Sequence, residues 1–492
     1  MKKNKDLRDF LKLVKGAGPE YYLETNKPVD PDLQVQILQE KLAVQGRFPV
    51  IKCNKVQGSN IPLITNLFGS YEMLAMAFGL EPQRSSMDVT EQEYFPFSDR
   101  GIPKVDRVKL GNIVREKLAK KCPAEVVSAS EAPVKEVVLK GDKIDLGILP
   151  ITRHGALDSS KYLTVACTIS KDPDSGIPNV GIYREEIKSK NQIGIGTHPG
   201  HHFGYIARRC AELGKPMEVA ITLGHHPAVV LGAETKGALE LNEFEMMGGL
   251  LGEPLLVTPA ETIDLHVPAW AEIVIEGVID ASKPVIDGPF AEYTGYYGER
   301  GGRTVYVLNI TAITMRKDAI FHDLDSAHRE HNLLTALFNE AIVYEMVKKV
   351  IPTLKAVNMP ISGTCAHHVY LSIKKRIQGE GKLAAMTALV ADHNSKMAVV
   401  VDDDVDVYDE QQVLWAIATR ATAHKDMSIV PGVAASELDP TSYDETGLKR
   451  GHMNTMIIVD ATRPVGSEYA IRIAPREDLW KSTKLNDYFR LT

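Results

Sequence analysis

Cysteine is scarce in this 492-residue chain: the five present, Cys53, Cys122, Cys167, Cys210 and Cys365, are scattered, and none forms a CxxC pair. An odd, sparse set excludes a disulfide framework and points to a reducing compartment. No run approaches the ~20 apolar residues needed to span a bilayer. The opening segment MKKNKDLRDF is charged and then amphipathic, without the apolar core of a secretory leader. A cytoplasmic location with no membrane partner is therefore expected. A long basic run is missing too: KKR at 374–376 is the densest, and the net charge is −7, which argues against a nucleic-acid partner. There is no GxxxxGK[ST] loop and no HExxH, and the GxG at Gly194–Gly196 does not open a helix as GxGxxG. A dinucleotide-binding Rossmann unit is thereby disfavoured. The acidic run DDDVDVYDE (402–410) lacks the central glycine and closing glutamate of an EF-hand loop, and Asp409 is expected to cap the next helix instead.

What is present is ordinary in bulk, with 44% apolar and 25% charged residues. The length exceeds the ~250–300 residues of one compact core, so two or three domains are expected. Leu7, Phe10, Leu11 and Val14 have helical spacing and stop at Gly16. A charged, proline-containing stretch at 84–106 reads as a connection. From about 108 to 320 the pattern is strand-rich, in YLTVACTIS, MEVAITLG, WAEIVIEGVID and RTVYVLNITAITM. Within it FGYIARRCAELGK reads as a helix with Ile206, Ala207, Cys210 and Leu213 on one face and Gly214 as its stop. Beyond 330 helical patterns (333–350, ending at Pro352; 379–393; EQQVLWAIATRA) alternate with strands (KMAVVVDDDVD; 453–462), and the tail from 477 looks helical. That alternation predicts a smaller α/β unit with partly parallel strands. The expected division is 1–107, 108–325 and 326–492.

Nine of the 15 histidines lie in short clumps: His198, His201 and His202; His225 and His226; His328 and His331; His367 and His368. Four segments carry chemistry. In IPNVGIYREEI, Asn179 and Arg184 are five apart and fall on opposite faces of a strand unless the chain bends. THPGHHFGYIARR leads into a helix N-terminus, a natural anion site. In ELNEFEMMGGLLGEP, Glu240, Glu243 and Glu245 precede an expected Gly-Gly break. Asparagine, histidine and glutamate donors suit Mn²⁺ or Mg²⁺ better than zinc. In VIDGPFAEYTGYYG, Asp287 and Glu292 bracket a Gly-Pro turn among apolar neighbours, where an arginine fork is the natural partner. Taken alone, the Asn179, His202 and Glu243 segments read more readily as exposed polar loops than as a metal site, while the Asp287–Glu292 segment reads equally as a hairpin turn with solvated acids. Cys365 reads as packing.

Together the four segments resemble the UbiD family of reversible decarboxylases, over roughly residues 110–465. Asn179 and Arg184 match the family's N-x-x-x-x-R strand, and Asp287 and Glu292 match its E-G-P-[FY]-x-E segment. The resemblance implies an α/β (α+β) fold: a central flavin-reductase-like split β-barrel, an N-terminal α/β segment and a C-terminal α/β oligomerisation domain. It implies prenylated FMN, supplied by a prenyl-flavin synthase, along Asn179, Ile182, Tyr183, Arg184, His202 and Glu243. It implies Mn²⁺ (or Mg²⁺) on Asn179, His202 and Glu243, with His201 as the alternative histidine, and K⁺ as a further ion. An aromatic or heteroaromatic acid would lose CO₂, because a vinyl or aryl anion needs a cofactor as electron sink. Glu292 would be the proton donor, Arg184 would hold it, and Asp287 would orient Arg184. Asp287 is one methylene shorter than the family's glutamate, so its contact with Arg184 is expected to be re-routed or water-bridged. His328 and His331 would line the substrate pocket, and a homodimer or homohexamer is implied. The competing readings are a non-catalytic or partner-dependent subunit of a larger carboxylase and a metal-dependent hydrolase using the histidine clumps. Carboxylation as the working direction stays open.

Overall fold

The computed structural model describes residues 2–82, 94–99, 103–197, 200–297, 303–392, 394–434, 436, 438–442 and 453–490. His198 and most of the expected connection at 84–106 lie outside these residues. The chain divides into two units, Met1–Glu81 with Asn112–Phe338, and Pro82–Gly111 with Asn339–Thr492.

In the first unit, the helix Leu7–Gly16 begins at a capping box formed by Asp6 and Asp9 and buries Leu7, Phe10, Leu11 and Val14, as their spacing predicts. The strand-rich region does not begin at 108: Arg107–Leu118 is a helix, with Leu110 and Val114 buried one turn apart.

A ten-stranded sheet forms the core of this unit. Eight of its strands make one continuous path: β1 (Tyr162–Leu163), β2 (Cys167–Lys171), β3 (Pro178–Ile182), β4 (Glu185–Ser189), β5 (Gln192–Gly196), β6 (Met217–Leu223), β7 (Ile273–Ile279) and β8 (Arg303–Met315). Their order is β1-β4-β5-β8-β7-β6-β2-β3, and Val137–Lys140 and Val285–Asp287 add to β8. β3 closes one end of this path, while β4 lies second from the other. Only Tyr183 and Arg184 join them, a connection that spans at most ~7–10 Å. The sheet must therefore curl until its ends meet, which makes a barrel split between β3 and β4. The uninterrupted strand expected in IPNVGIYREEI is this corner, and YLTVACTIS is likewise broken into β1 and β2.

Ile193, Ile195, Val219, Ile221, Ile275 and Ile313 fill the barrel, and the helix His202–Glu212 packs on them through Phe203, Ile206, Ala207 and Cys210. Full burial of Phe203 or Ile206 contributes ~1.5–3 kcal/mol each. Leu213, expected on that face, lies past the helix end and is 38% exposed. The helix Glu243–Leu251 runs straight through Gly248 and Gly249, where a break was expected. A Cβ at Gly249 would stand 2.1 Å from the Lys120 carbonyl oxygen, and one at Gly248 2.5 Å from that of Cys122. The glycines serve close approach to that backbone.

The second unit holds a five-stranded sheet ordered Leu354–Asn358, His368–Ile373, Met397–Asp402, Met453–Ala461, Met427–Ala434. Its three inner strands are parallel and its edges antiparallel, in line with the expected α/β unit. Asp409 caps the helix Glu410–Arg420, and Arg420 takes up Asp402 and Asp404, so the acidic run is engaged by arginine. Cys365 is fully buried. The helix Arg329–Val350 starts earlier than its pattern suggested, and the tail is helical only over Glu477–Ser482 and a short turn.

Candidate active site

Arg184 sits in the two-residue corner between β3 and β4, and this bend lets it leave the strand plane. Its Nε and Nη2 donate to Asp287 Oδ2 and Oδ1 at 3.0 and 2.7 Å, while Nη1 donates to Glu292 Oε1 at 2.6 Å. Asp287 and Glu292 are only 2% and 5% exposed, so they are not the solvated acids of a hairpin turn. The expectation that the shorter Asp287 would need a re-routed or bridged contact is corrected: its carboxylate meets the guanidinium directly and with both oxygens. Asp287 ends a short strand paired with β8, and that pairing brings its backbone close enough for the short side chain to reach. Burial alone would lower the pKa of Arg184, but the charges of Glu292 and Asp287 outweigh it and hold it above its ordinary value. Gly196 on β5 leaves the space the arginine occupies, since a Cβ there would lie 3.1 Å from Arg184 Cγ and 3.2 Å from Nε.

Beyond the same corner, Asn179 on β3 and Glu243 at the start of its helix come together through the Val180 N–H, which donates to Glu243 Oε2 at 3.1 Å. Asn179 Nδ2 is buried and meets no acceptor with hydrogen-bond geometry, although the Tyr183 hydroxyl lies beside its side chain. Burial pushes Glu243 up to about 7, and no cation faces it among the described residues. A buried acid without a counter-charge beside an unmatched amide fits a cation site. His202 opens the helix His202–Glu212 and is half-buried, whereas His201 precedes the helix and is exposed. Tyr183 stacks near both His201, at 6.4 Å between ring centroids, and Phe203, at 5.0 Å. No described contact joins His202 to Asn179 or Glu243. Among the described residues no three His, Cys, Asp or Glu side chains group as a metal site; the expected set holds only two such residues beside an amide. Ile182 and Tyr183 are half-buried along the strip between these groups and Arg184.

The two histidines expected in the substrate pocket differ in their surroundings. His331 Nδ1 donates to the Ser326 carbonyl at 2.6 Å, and its ring meets Tyr293 edge-on at 6.0 Å, next to Glu292. A carbonyl only accepts, so the proton is on Nδ1 and Nε2 keeps its lone pair; burial lowers the pKa of this ring and favours the neutral form. His328 Nδ1 accepts from Gln39 Nε2 at 2.9 Å and from the Glu330 N–H at 3.4 Å, within a buried polar network with Thr65 and Asn66. Burial drives its pKa down to about 4.

Sequence reasoning passed over Glu185. Fully buried on β4, it accepts a short bond from the Thr168 hydroxyl, and burial pushes it up to about 8. A glutamate in a half-polar strand run gives no signal of such burial.

A curled antiparallel sheet with a buried carboxylate–arginine–carboxylate set defines the class. Residues 19–92, 125–327 and 332–461 match, in turn, the N-terminal, Rift-related and C-terminal domains of the family described as 3-octaprenyl-4-hydroxybenzoate carboxy-lyase, UbiD. The chain belongs to the UbiD family of carboxy-lyases. It is 35% identical over 329 residues to the anhydromevalonate phosphate decarboxylase of Methanothermobacter thermautotrophicus, covering 67% of this chain and 75% of that one. It is 31% identical over 476 residues to the phenolic acid decarboxylase of Sedimentibacter hydroxybenzoicus, covering 94% and 92%. Among solved structures it resembles the UbiD-class enzyme HmfF from Pelotomaculum thermopropionicum in complex with FMN, at TM-score 0.85 and 32% identity over 99% of this chain and 100% of that one. The expected fold class and enzyme class are thereby borne out. No described helix is long and apolar enough to cross a membrane.

Proposed function

We propose that this carboxy-lyase removes CO₂, reversibly and without oxidation, from an aromatic acid bearing a hydroxyl group, with prenylated FMN as cofactor and Glu292 as proton donor. The observation that carries this reading is the Arg184 fork holding two buried carboxylates at 2.6–3.0 Å. When bound, prenylated FMN supplies the electron sink that a departing carboxylate on an sp² carbon requires. Glu292 delivers its proton to the carbon that CO₂ leaves, and recovers it in the carboxylation direction. Arg184 fixes Glu292 in place, and Asp287 fixes Arg184. Asn179, Glu243 and His202 would hold Mn²⁺ or Mg²⁺ at the cofactor phosphate, with K⁺ as a further ion; His202 is preferred to His201 because it is the more buried of the two. His331 Nε2, an acceptor by its tautomer, suits a phenolic O–H on the substrate, and the Sedimentibacter relative supports that class.

Glu292→Gln tests the reading: decarboxylation should vanish while flavin binding persists, and full activity in this variant would refute it. A substrate panel for the reconstituted enzyme should set phenolic acids against anhydromevalonate phosphate, the substrate in the name of the Methanothermobacter relative. The division into segments 1–107, 108–325 and 326–492 is supported by the three family matches. Self-association, as a homodimer or homohexamer, is supported by exposed Ile429, Ile471, Ile473, Tyr488 and Phe489 in the second unit. Five unpaired cysteines support a cytoplasmic location.

A further inference from the structure

Glu292 needs more than Arg184 to place its carboxyl. Arg184 grips the end of the side chain, while the backbone of the loop sets where its Cα stands. The preceding residue shows how that backbone is held. Asp158 Oδ1 accepts the Ala291 N–H at 2.9 Å, and the Ser326 hydroxyl donates to the Ala291 carbonyl at 2.7 Å. Both polar groups of this residue are thus held from opposite directions. The clamp is itself anchored. Asp158 Oδ2 accepts the N–H groups of Gly155 and His154 at 2.6 and 3.2 Å, and the Ser326 carbonyl accepts from His331 Nδ1. Two further bonds tie the same loop to the segment around Glu292: Ser159 N–H to the Pro289 carbonyl at 2.9 Å, and Leu157 N–H to the Tyr297 hydroxyl at 2.9 Å.

Asp158 and Ser326 are 5% and 1% exposed, and Asp158 forms no salt bridge among the described residues. A buried carboxylate that spends both oxygens on three backbone N–H groups makes strong, charge-assisted bonds of fixed direction. Asparagine in its place would turn an NH₂ toward one or two of those donors. We propose that Asp158 and Ser326 are positioning residues for the reaction, which clamp the Ala291 peptide groups so that the next residue, Glu292, presents its carboxyl at a fixed point. This rests on the reading of Glu292 as proton donor.

The test has two arms. In the purified chain, hydrogen exchange of the peptide spanning 287–297 is followed by mass spectrometry, an arm that needs no substrate. Asp158→Ala should speed exchange there by about tenfold or more, with the strand Met217–Leu223 unchanged as control; unchanged protection at 287–297 overturns the clamp. In the reconstituted enzyme, with the panel acid turned over fastest, Asp158→Asn and Ser326→Ala should lower kcat by roughly 10–100-fold with KM within about twofold. The solvent deuterium isotope effect on kcat should rise as proton delivery becomes limiting. A variant that merely lost folded protein would lower the apparent kcat and leave the isotope effect as it was; that result overturns the proposal. Glu292→Gln, run alongside, separates the two readings. If it stays active, both fall. If it is dead while Asp158→Asn and Ser326→Ala keep wild-type kcat, the clamp alone falls.

Discussion

Replacing Asp287 with asparagine keeps its volume and removes one acceptor and one charge. The Arg184 fork needs two oxygens here, for Nη2 at 2.7 Å and Nε at 3.0 Å, and asparagine offers one oxygen and one NH₂. One charge-assisted hydrogen bond is lost, ~1.5–3 kcal/mol, and a buried N–H is left facing another donor. Complete removal of one partner from a buried ion pair costs ~3–5 kcal/mol; Glu292 remains to balance Arg184, so about 2–4 kcal/mol is expected. In thermal unfolding this is a drop on the order of 5 °C for a unit of this size. Decarboxylation by the reconstituted enzyme should fall as well, because Arg184 loses the side chain that orients it. Asp287→Glu is the control. It keeps both oxygens and the charge but forces a methylene into a closed site, at ~1–3 kcal/mol. Its stability should suffer comparably while its activity exceeds that of Asp287→Asn. A loss below about 0.5 kcal/mol for Asp287→Asn with unchanged kcat would mean that solvent reaches the pair, and the burial reasoning would be refuted.

Gly196→Ala places a Cβ about 3.1–3.2 Å from Arg184 and should displace the guanidinium by a few tenths of an ångström, lowering kcat with little change in cofactor affinity; unaltered kcat would show slack in the corner. Glu243→Gln should abolish Mn²⁺ binding to the purified chain in calorimetry; a retained isotherm would remove Glu243 from the metal set. Glu185, raised to about 8 in the folded chain, holds a proton that the unfolded chain releases near its ordinary value, so its contribution to stability is lost as pH rises toward 8. Glu185→Gln should remove up to ~1.4 kcal/mol per pH unit of that decline, and urea midpoints from pH 5.5 to 8 should show the variant gaining on the wild type. Parallel curves would mean that Glu185 ionises freely.

Regular elements were legible where one physical signal acted alone. Leu7, Phe10, Leu11 and Val14 repeat at helical spacing with a cap in front, and nothing in the tertiary structure competes with them. The helix Glu243–Leu251 was harder, because Gly248 and Gly249 look like a stop and are instead the surface on which a distant backbone rests. The corner at Tyr183–Arg184 carries no turn signature; it exists because two strands far apart in the sheet must meet. Arg184, Asp287 and Glu292 were found through their motif order, which is local. Asp158 escaped notice because HGALDS reads as a polar turn, and its work is done on a residue 133 positions away.

That corner has a consequence for how the site comes into being. Strands β3 and β4, adjacent in the chain, lie toward opposite ends of the hydrogen-bonded path; β2–β3 and β4–β5 are local hairpins, but the pairings through β6, β7 and β8 that link them are non-local. Arg184 reaches its final place only when the last of these non-local pairings is laid down, and such pairings are the slow part of assembly. Asp287 and Glu292 arrive through the segment between β7 and β8, so the guanidinium and its two acids converge from both ends of the same process. A chain with an open seam holds most of its sheet and none of its chemistry. Regain of activity after dilution from denaturant is therefore a clock for barrel closure.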